Sequence, residues 1–251
     1  MIKPSITHIV ETYIGYDRPT WTPDPEWVKW RADFFHEYTL RSLRNQSFKD
    51  FRIFVQCGNQ NRKMLENYDW APELSICFDD GKNHYDKIDT DYIAVSRLDS
   101  DDLMHRDTMQ EIHDNLIFSN KREVLAFFNW RAWNLLDKFV KKNHIRSSSP
   151  FFTHVFPVSI YKNWKLFVSQ HFRPHGSGGA GDRGGKKLSP YKICIIRHGR
   201  NTSHLKKGIE AKPMNKIQLE EFKARWGDEM IFNKDGMYEI LKDFGMPKEM
   251  I

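Results

Sequence analysis

Three carboxylates crowd into the run Ser96-Arg97-Leu98-Asp99-Ser100-Asp101-Asp102. Like charges held this close repel one another, and a hard divalent cation taking oxygen ligands is the usual compensation. The run follows Tyr92 to Leu98, whose apolar character predicts a strand buried in the middle of a sheet. It precedes Arg106 to Phe118, predicted as a helix with Met109, Ile112 and Leu116 on one face. The carboxyl end of a central strand in an open α/β sheet is where ligands bind. The plainer alternative is that one aspartate caps the following helix and the other two are solvated. A calcium-binding EF-hand does not fit: counted from Asp99, Met104 stands where glycine is needed and Gln110 where glutamate is needed. Arg97 could orient Asp99 or reach a phosphate oxygen, with a structural ion pair to a neighbouring carboxylate as the equal alternative.

Two further segments could bear on chemistry. Ile193-Cys194-Ile195-Ile196-Arg197-His198 reads as a strand ending in a histidine. Arg197-His198-Gly199 taken alone resembles the histidine-phosphatase signature. That motif belongs on an amino-terminal strand with most of the domain after it, whereas here 53 residues follow His198. The second segment, Gly176 to Gly185, has six glycines in ten residues and reads as a mobile loop. It fails the Walker pattern, because Lys186-Lys187-Leu188 follows it and no Lys-Ser/Thr pair opens a helix.

The elements that must position these residues alternate in type. Ser5 to Ile14 predicts a first strand. Asp24 and Pro25 predict the cap and first turn of a helix whose Trp27, Trp30, Phe34 and Tyr38 form one inner stripe. Phe51 to Gln56 and Ser75 to Phe78 predict short strands, Val124 to Phe139 two strands, and Phe151 to Ile160 and Lys192 to Arg197 extended chain. Asn215 with Gln218 predicts a capping box, and Met237 to Phe244 a last helix before Gly245. Alternation of this kind predicts an α/β fold with a parallel-rich sheet and helices packed on it.

The run Phe34-Phe35-His36-Glu37-Tyr38-Thr39-Leu40-Arg41-Ser42-Leu43-Arg44-Asn45-Gln46-Ser47-Phe48, then Phe51-Arg52-Ile53-Phe54-Val55, then Arg97-Leu98-Asp99-Ser100-Asp101-Asp102, resembles a rhamnosyltransferase family, in order from about Ile9 to Ser203. Those proteins resemble nucleotide-sugar-dependent glycosyltransferases of GT-A fold. The resemblance implies a GT-A-like (Rossmann-like) mixed, mostly parallel central sheet with helices on both faces over residues 1–204, and a helical extension over 205–251 packed on the same domain. It implies Mn²⁺ or Mg²⁺ held by Asp99, Asp101 and His198, with Thr12, Tyr13, Arg97 and Asp99 at the donor. A true imidazole ligand would favour manganese. A nucleoside-diphosphate sugar would be the donor, a glycan or lipid-linked hydroxyl the acceptor, and rhamnose, from the family's name, the sugar. If transfer inverts the anomeric centre, a base is needed, for which Asp182 is the first candidate and His171 the second; the glycine-rich loop would then close as a lid. Many such enzymes have an aspartate just after the second strand for the donor base. Gln56-Cys57-Gly58-Asn59 occupies that place here and leaves the base open. The Asp-x-Asp logic is shared by a second class, metal-dependent nucleotidyltransferases and other phosphotransfer enzymes, which stands as the alternative.

Composition narrows the classes further. A 39% hydrophobic fraction with 18 Phe, 8 Trp and 9 Tyr permits a sizeable core and excludes disorder across the chain. The formal net charge of +6 suits polyanions without choosing among them. No RNP-type strand or zinc-finger spacing is present, which disfavours a nucleic-acid-binding module. Cys57, Cys77 and Cys194 are isolated, so buried free thiols are expected rather than disulfides or a zinc site. The chain has no apolar run long enough to span a bilayer and begins without a signal-like segment, predicting a soluble, cytoplasmic protein. Lys141-Lys142, Lys186-Lys187 and Lys206-Lys207 could face an anionic acceptor or make peripheral membrane contact, though such pairs are most often solvated charge.

Overall fold

The computed structural model describes residues 4–15, 23–78, 82–144, 151–162, 185–200 and 212–251. Its strands in chain order are β1 (Ile6–Ile14), β2 (Arg52–Cys57), β3 (Leu74–Cys77), β4 (Tyr92–Arg97), β5 (Asp102–Met104) and β6 (Glu123–Phe127). They continue as β7 (Asn129–Asn134), β8 (Phe139–His144), β9 (Phe151–Pro157), β10 (Lys186–Lys187), β11 (Ile193–Arg197) and β12 (Met230–Ile231). A seven-stranded sheet has the order β10-β6-β9-β4-β1-β2-β3. Its centre is parallel, β4 and β2 flanking β1 with β3 beyond β2, and β9 enters antiparallel between β4 and β6. A second sheet of order β12-β8-β7-β11-β5 is built on the β7–β8 hairpin.

The helices are α1 (Pro25–Phe34), α2 (Leu40–Arg44), α3 (Arg62–Glu66), α4 (Lys82–Tyr85), α5 (Thr108–Asp114), α6 (Val158–Tyr161), α7 (Lys216–Trp226) and α8 (Lys234–Leu241). Side chains alternate along a strand, so β1 feeds two cores. Val10 and Ile14 pack beneath Val28, Phe35, Leu40 and Leu43 of the α1–α2 rod, with Leu65 of α3 and Ile112 of α5. Ile9 points the other way, joining Phe54, Ile93 and Val95 under Tyr85 of α4 and Tyr161 of α6. The fold is therefore α/β, a mixed and mostly parallel central sheet with helices on both faces.

The α1–α2 rod carries a π-turn at Phe35–Thr39 between its two α segments. This extra residue re-aims the face of the rod. Trp27 joins the first sheet's core, whereas Phe34 is buried against the second sheet, with Trp30 and Tyr38 packed there also. The single stripe expected from periodicity thus serves two sheets. The rod begins as expected: Asp24 is its N-cap, accepting from the Trp27 amide at 2.8 Å, and Pro25 opens the first turn. Asp24→Ala is expected to cost about 1 kcal/mol in urea-induced unfolding, because that amide loses its acceptor; a change near zero would mean that the cap is dispensable.

Four expectations are adjusted. The helix predicted over Arg106 to Phe118 is confined to Thr108–Asp114, because Asn115 leaves helical geometry (φ −108°, ψ 10°) and Phe118 turns to meet the Tyr92 ring edge-on. The extended chain from Phe151 ends at Pro157, after which α6 forms. The stretch from Val124 to Phe139 holds two strands and the first residue of a third, β8. The Asn215–Gln218 capping box is present; the last helix starts at Lys234, before the expected Met237, is α-helical to Leu241 and continues as a 3₁₀ turn to Phe244, ahead of Gly245, whose φ of 79° suits glycine. The three cysteines are free and buried. Among the described residues no helix is long and apolar enough to cross a membrane.

Candidate functional site

Strand β4 ends at Arg97 on the carboxyl edge of the parallel core, beside β1. The acidic run then turns sharply, the Asp102 amide donating to the Asp99 carbonyl at 3.0 Å, and β5 leaves for the second sheet. This turn separates the three carboxylates. Asp101 is buried in a two-oxygen ion pair with the Arg31 guanidinium, each contact 2.5 Å. Arg31 Nε also donates to Ser100 Oγ, which in turn donates to the Tyr13 carbonyl, both at 2.8 Å. His198 Nδ1 accepts from the Arg200 amide at 3.2 Å, so the ring's hydrogen sits on Nε2 and is donated to Asp101 Oδ2 at 3.0 Å. The rings of Trp30 and Phe34 enclose that imidazole at centroid distances of 4.9 and 4.8 Å.

The chain's own groups thus supply much of the compensation that the crowded carboxylates need. Burial acts to raise the Asp101 pKa, but Arg31 and His198 outweigh it and hold the carboxyl below its ordinary value of 3.8. Asp102 behaves oppositely: burial first, then the charges of Asp101 and Asp99, push it well above that value, and its Oδ1 accepts from the Ile196 amide. A proton retained only in the folded state makes stability fall as pH rises from about 3.8 towards the raised native value. Asp102→Asn removes that loss. Its unfolding free energy at pH 8 is expected to equal or exceed that of the unmodified protein, with the relative advantage shrinking as pH falls to 4. A deficit that is constant across this range would contradict the assignment.

Asp99 is different. Its side chain is 41% exposed, and Arg97 approaches it at 3.5 Å. The Arg97 guanidinium lies over the Tyr13 ring at 5.4 Å, and Arg97 Nε is buried with no hydrogen-bond partner among the described residues. Tyr13, Gln56 and Arg97 share one sheet face, as their register on β1, β2 and β4 requires. Thr12 lies on the opposite face, buried, and its Oγ1 has no hydrogen-bond partner among the described residues.

Of the residues singled out from the sequence, Tyr13, Arg97 and Asp99 are therefore together at the mouth of the sheet. Asp101 and His198 are joined to each other beneath it. Asp182 and His171 lie outside the described residues, as do positions 176–184 of the glycine-rich segment. Among the described residues no group of three or more His, Cys, Asp or Glu side chains is arranged to hold a metal ion. Sequence reasoning missed Arg31 and Glu11. The first had a signal: Arg31 lies four residues after Trp27 and three before Phe34, a charge inside an apolar stripe, and such a charge is buried only against a partner.

No family model and no curated protein matches this chain. Among solved structures it is similar to the bifunctional IspDF from Campylobacter jejuni, at 12% identity and a TM-score of 0.37 over 77% of this chain and 50% of that one. It thus spans half the length of the Campylobacter protein. It is also similar to HddC from Yersinia pseudotuberculosis, at 12% identity and a TM-score of 0.39 over 74% and 91%. A third is the inositol-1-phosphate CTP transferase from T. maritima, at 12% identity and a TM-score of 0.32 over 64% and 74%. Likenesses this distant assign no activity. None of the three is named as a glycosyltransferase, and one is named as a CTP transferase. The expectation of a rhamnosyltransferase moving a sugar from a nucleoside-diphosphate donor to a glycan is corrected accordingly.

Proposed function

We propose that this protein is an enzyme of the nucleotidyltransferase class, taking a nucleoside triphosphate with Mg²⁺ and a phosphorylated acceptor. The observation that carries the reading is the division of the acidic run. Asp99 alone reaches solvent, beside Arg97 at the carboxyl end of β4, while Asp101 and Asp102 are buried. One presented carboxylate is too little for an all-protein metal cage. It suits Mg²⁺, which keeps several waters and is bound through one or two carboxylates plus substrate phosphates. When bound, the ion would supply charge neutralisation on the triphosphate and on the departing pyrophosphate.

The chain's own residues have separable tasks in this reading. Asp99 would hold the cation. Arg97 has its guanidinium seated on Tyr13 with an Nη donor turned towards Asp99, which suits its Nη groups to donate to phosphate oxygens. The acceptor's phosphate oxygen attacks the α-phosphorus, the bond to the bridging oxygen breaks, and pyrophosphate leaves. That nucleophile is already ionised at neutral pH, so the reaction asks no general base of the protein. The net charge of +6 favours the approach of two anionic substrates.

The test is direct. The protein is incubated with Mg²⁺, each of CTP, UTP, GTP, ATP and dTTP, and a panel of sugar and polyol phosphates, and pyrophosphate is measured. Acceptor-dependent release with one triphosphate is expected. No release from any pair, with either Mg²⁺ or Mn²⁺, would defeat the reading.

A further inference from the structure

Glu11 lies within the central strand of the larger sheet and is fully buried, where an aliphatic residue would serve the fold alone at lower cost. It is held by side chains from three elements. Its Oε1 accepts from Gln56 Nε2 at 2.8 Å and from the Tyr85 hydroxyl, and its Oε2 accepts from the Tyr13 hydroxyl at 2.6 Å. Gln56 Nε2 also donates to the Tyr85 oxygen at 3.0 Å, closing the cluster. On the neighbouring strand the register partner of Glu11 is Arg97, on the same sheet face. The Tyr13 ring that Glu11 holds is the one beneath the Arg97 guanidinium.

Resting on the nucleotide reading above, we propose that Glu11 is a positioning residue for the phosphates of the substrate. Through the Tyr13 hydroxyl it fixes the ring on which Arg97 rests, and so fixes the direction in which the Arg97 donors point beside Asp99. Both Glu11 oxygens and the Tyr13 and Tyr85 hydroxyls are engaged, Gln56 Oε1 being the member with no hydrogen-bond partner among the described residues, and a buried network tied at this many points restricts its side chains to one arrangement. Here that arrangement ends in Arg97, at the edge of the acidic turn beside Asp99. The Tyr85 hydroxyl contributes to holding Glu11 but lies off the path to Arg97.

The experiment compares four variants by calorimetric titration with Mg²⁺-CTP, Mg²⁺-UTP, Mg²⁺-GTP, Mg²⁺-ATP and Mg²⁺-dTTP, alongside urea unfolding. Tyr13→Phe keeps the ring and cuts the link, and Glu11→Gln removes the anchoring charge. Each is expected to weaken binding of the preferred nucleotide about tenfold. Tyr85→Phe is expected to lower stability while leaving that affinity within about twofold. Should Glu11→Gln fail to fold, the contrast between Tyr13→Phe and Tyr85→Phe decides alone. If Arg97→Ala weakens binding but Tyr13→Phe binds as the unmodified protein does, the positioning role is overturned and the nucleotide reading survives. If the unmodified protein binds none of the five nucleotides, the nucleotide reading fails and takes this role with it.

Discussion

Replacing Arg31 with methionine is expected to lower the unfolding free energy by about 3 to 5 kcal/mol, because it strands the Asp101 carboxylate in a buried site. Both Asp101 oxygens meet the Arg31 guanidinium at 2.5 Å, and both side chains are about nine-tenths buried. Removing the cation takes away both guanidinium contacts, and the His198 Nε2 hydrogen bond does not replace the lost positive charge beside an ionised carboxyl held out of water. Urea unfolding reads the loss. The double variant Arg31→Met with Asp101→Leu should recover much of it, since an apolar pair of similar volume has no charge to desolvate. A single variant within 1 kcal/mol of the unmodified protein would show that Arg31 is not the compensating group.

Asp99→Asn is expected to do the opposite, leaving stability within about 0.5 kcal/mol and abolishing most activity. The side chain is 41% exposed, and an ion pair as solvated as its 3.5 Å contact with Arg97 contributes little folding energy. The amide is a poor ligand for a hard cation, and losing a group that stabilises transition-state charge typically lowers kcat by about 100-fold or more. Pyrophosphate release across a Mg²⁺ titration is the readout. Activity within threefold of the unmodified protein at every Mg²⁺ concentration would remove Asp99 from the site. Together the two variants separate the carboxylate that builds the turn from the carboxylate presented by it.

Much of the fold was legible along the chain because its signals are local. The Asp24 cap, the Asn215–Gln218 box and the Gly245 terminus are each decided within a few residues by unsatisfied backbone groups. The strands β1, β2 and β4 announce themselves through apolar runs, and a parallel-rich sheet follows from their alternation with helices. The helix α5 was read too long because Leu116, Ile117 and Phe118 continue the apolar pattern while leaving the helix, and periodicity alone does not separate those two cases. The π-turn in the α1–α2 rod had no sequence signal, since it answers the demand to face two sheets at once.

By itself the sequence determined that this is an α/β protein with an acidic cluster delivered to the carboxyl edge of a buried strand. Composition, two periodicities and capping chemistry are all short-range, and they need no knowledge of what lies across the molecule. Only the tertiary structure decided which of the three aspartates faces solvent. Arg31 and His198 lie 70 and 97 residues from Asp101 along the chain, and no spacing rule connects them. The ionisation and exposure of a carboxyl depend on charges within a few ångströms in space. The same limit hid Glu11, whose hydrogen-bond donors come from β1, β2 and α4 and meet only when the sheet and its covering helix assemble.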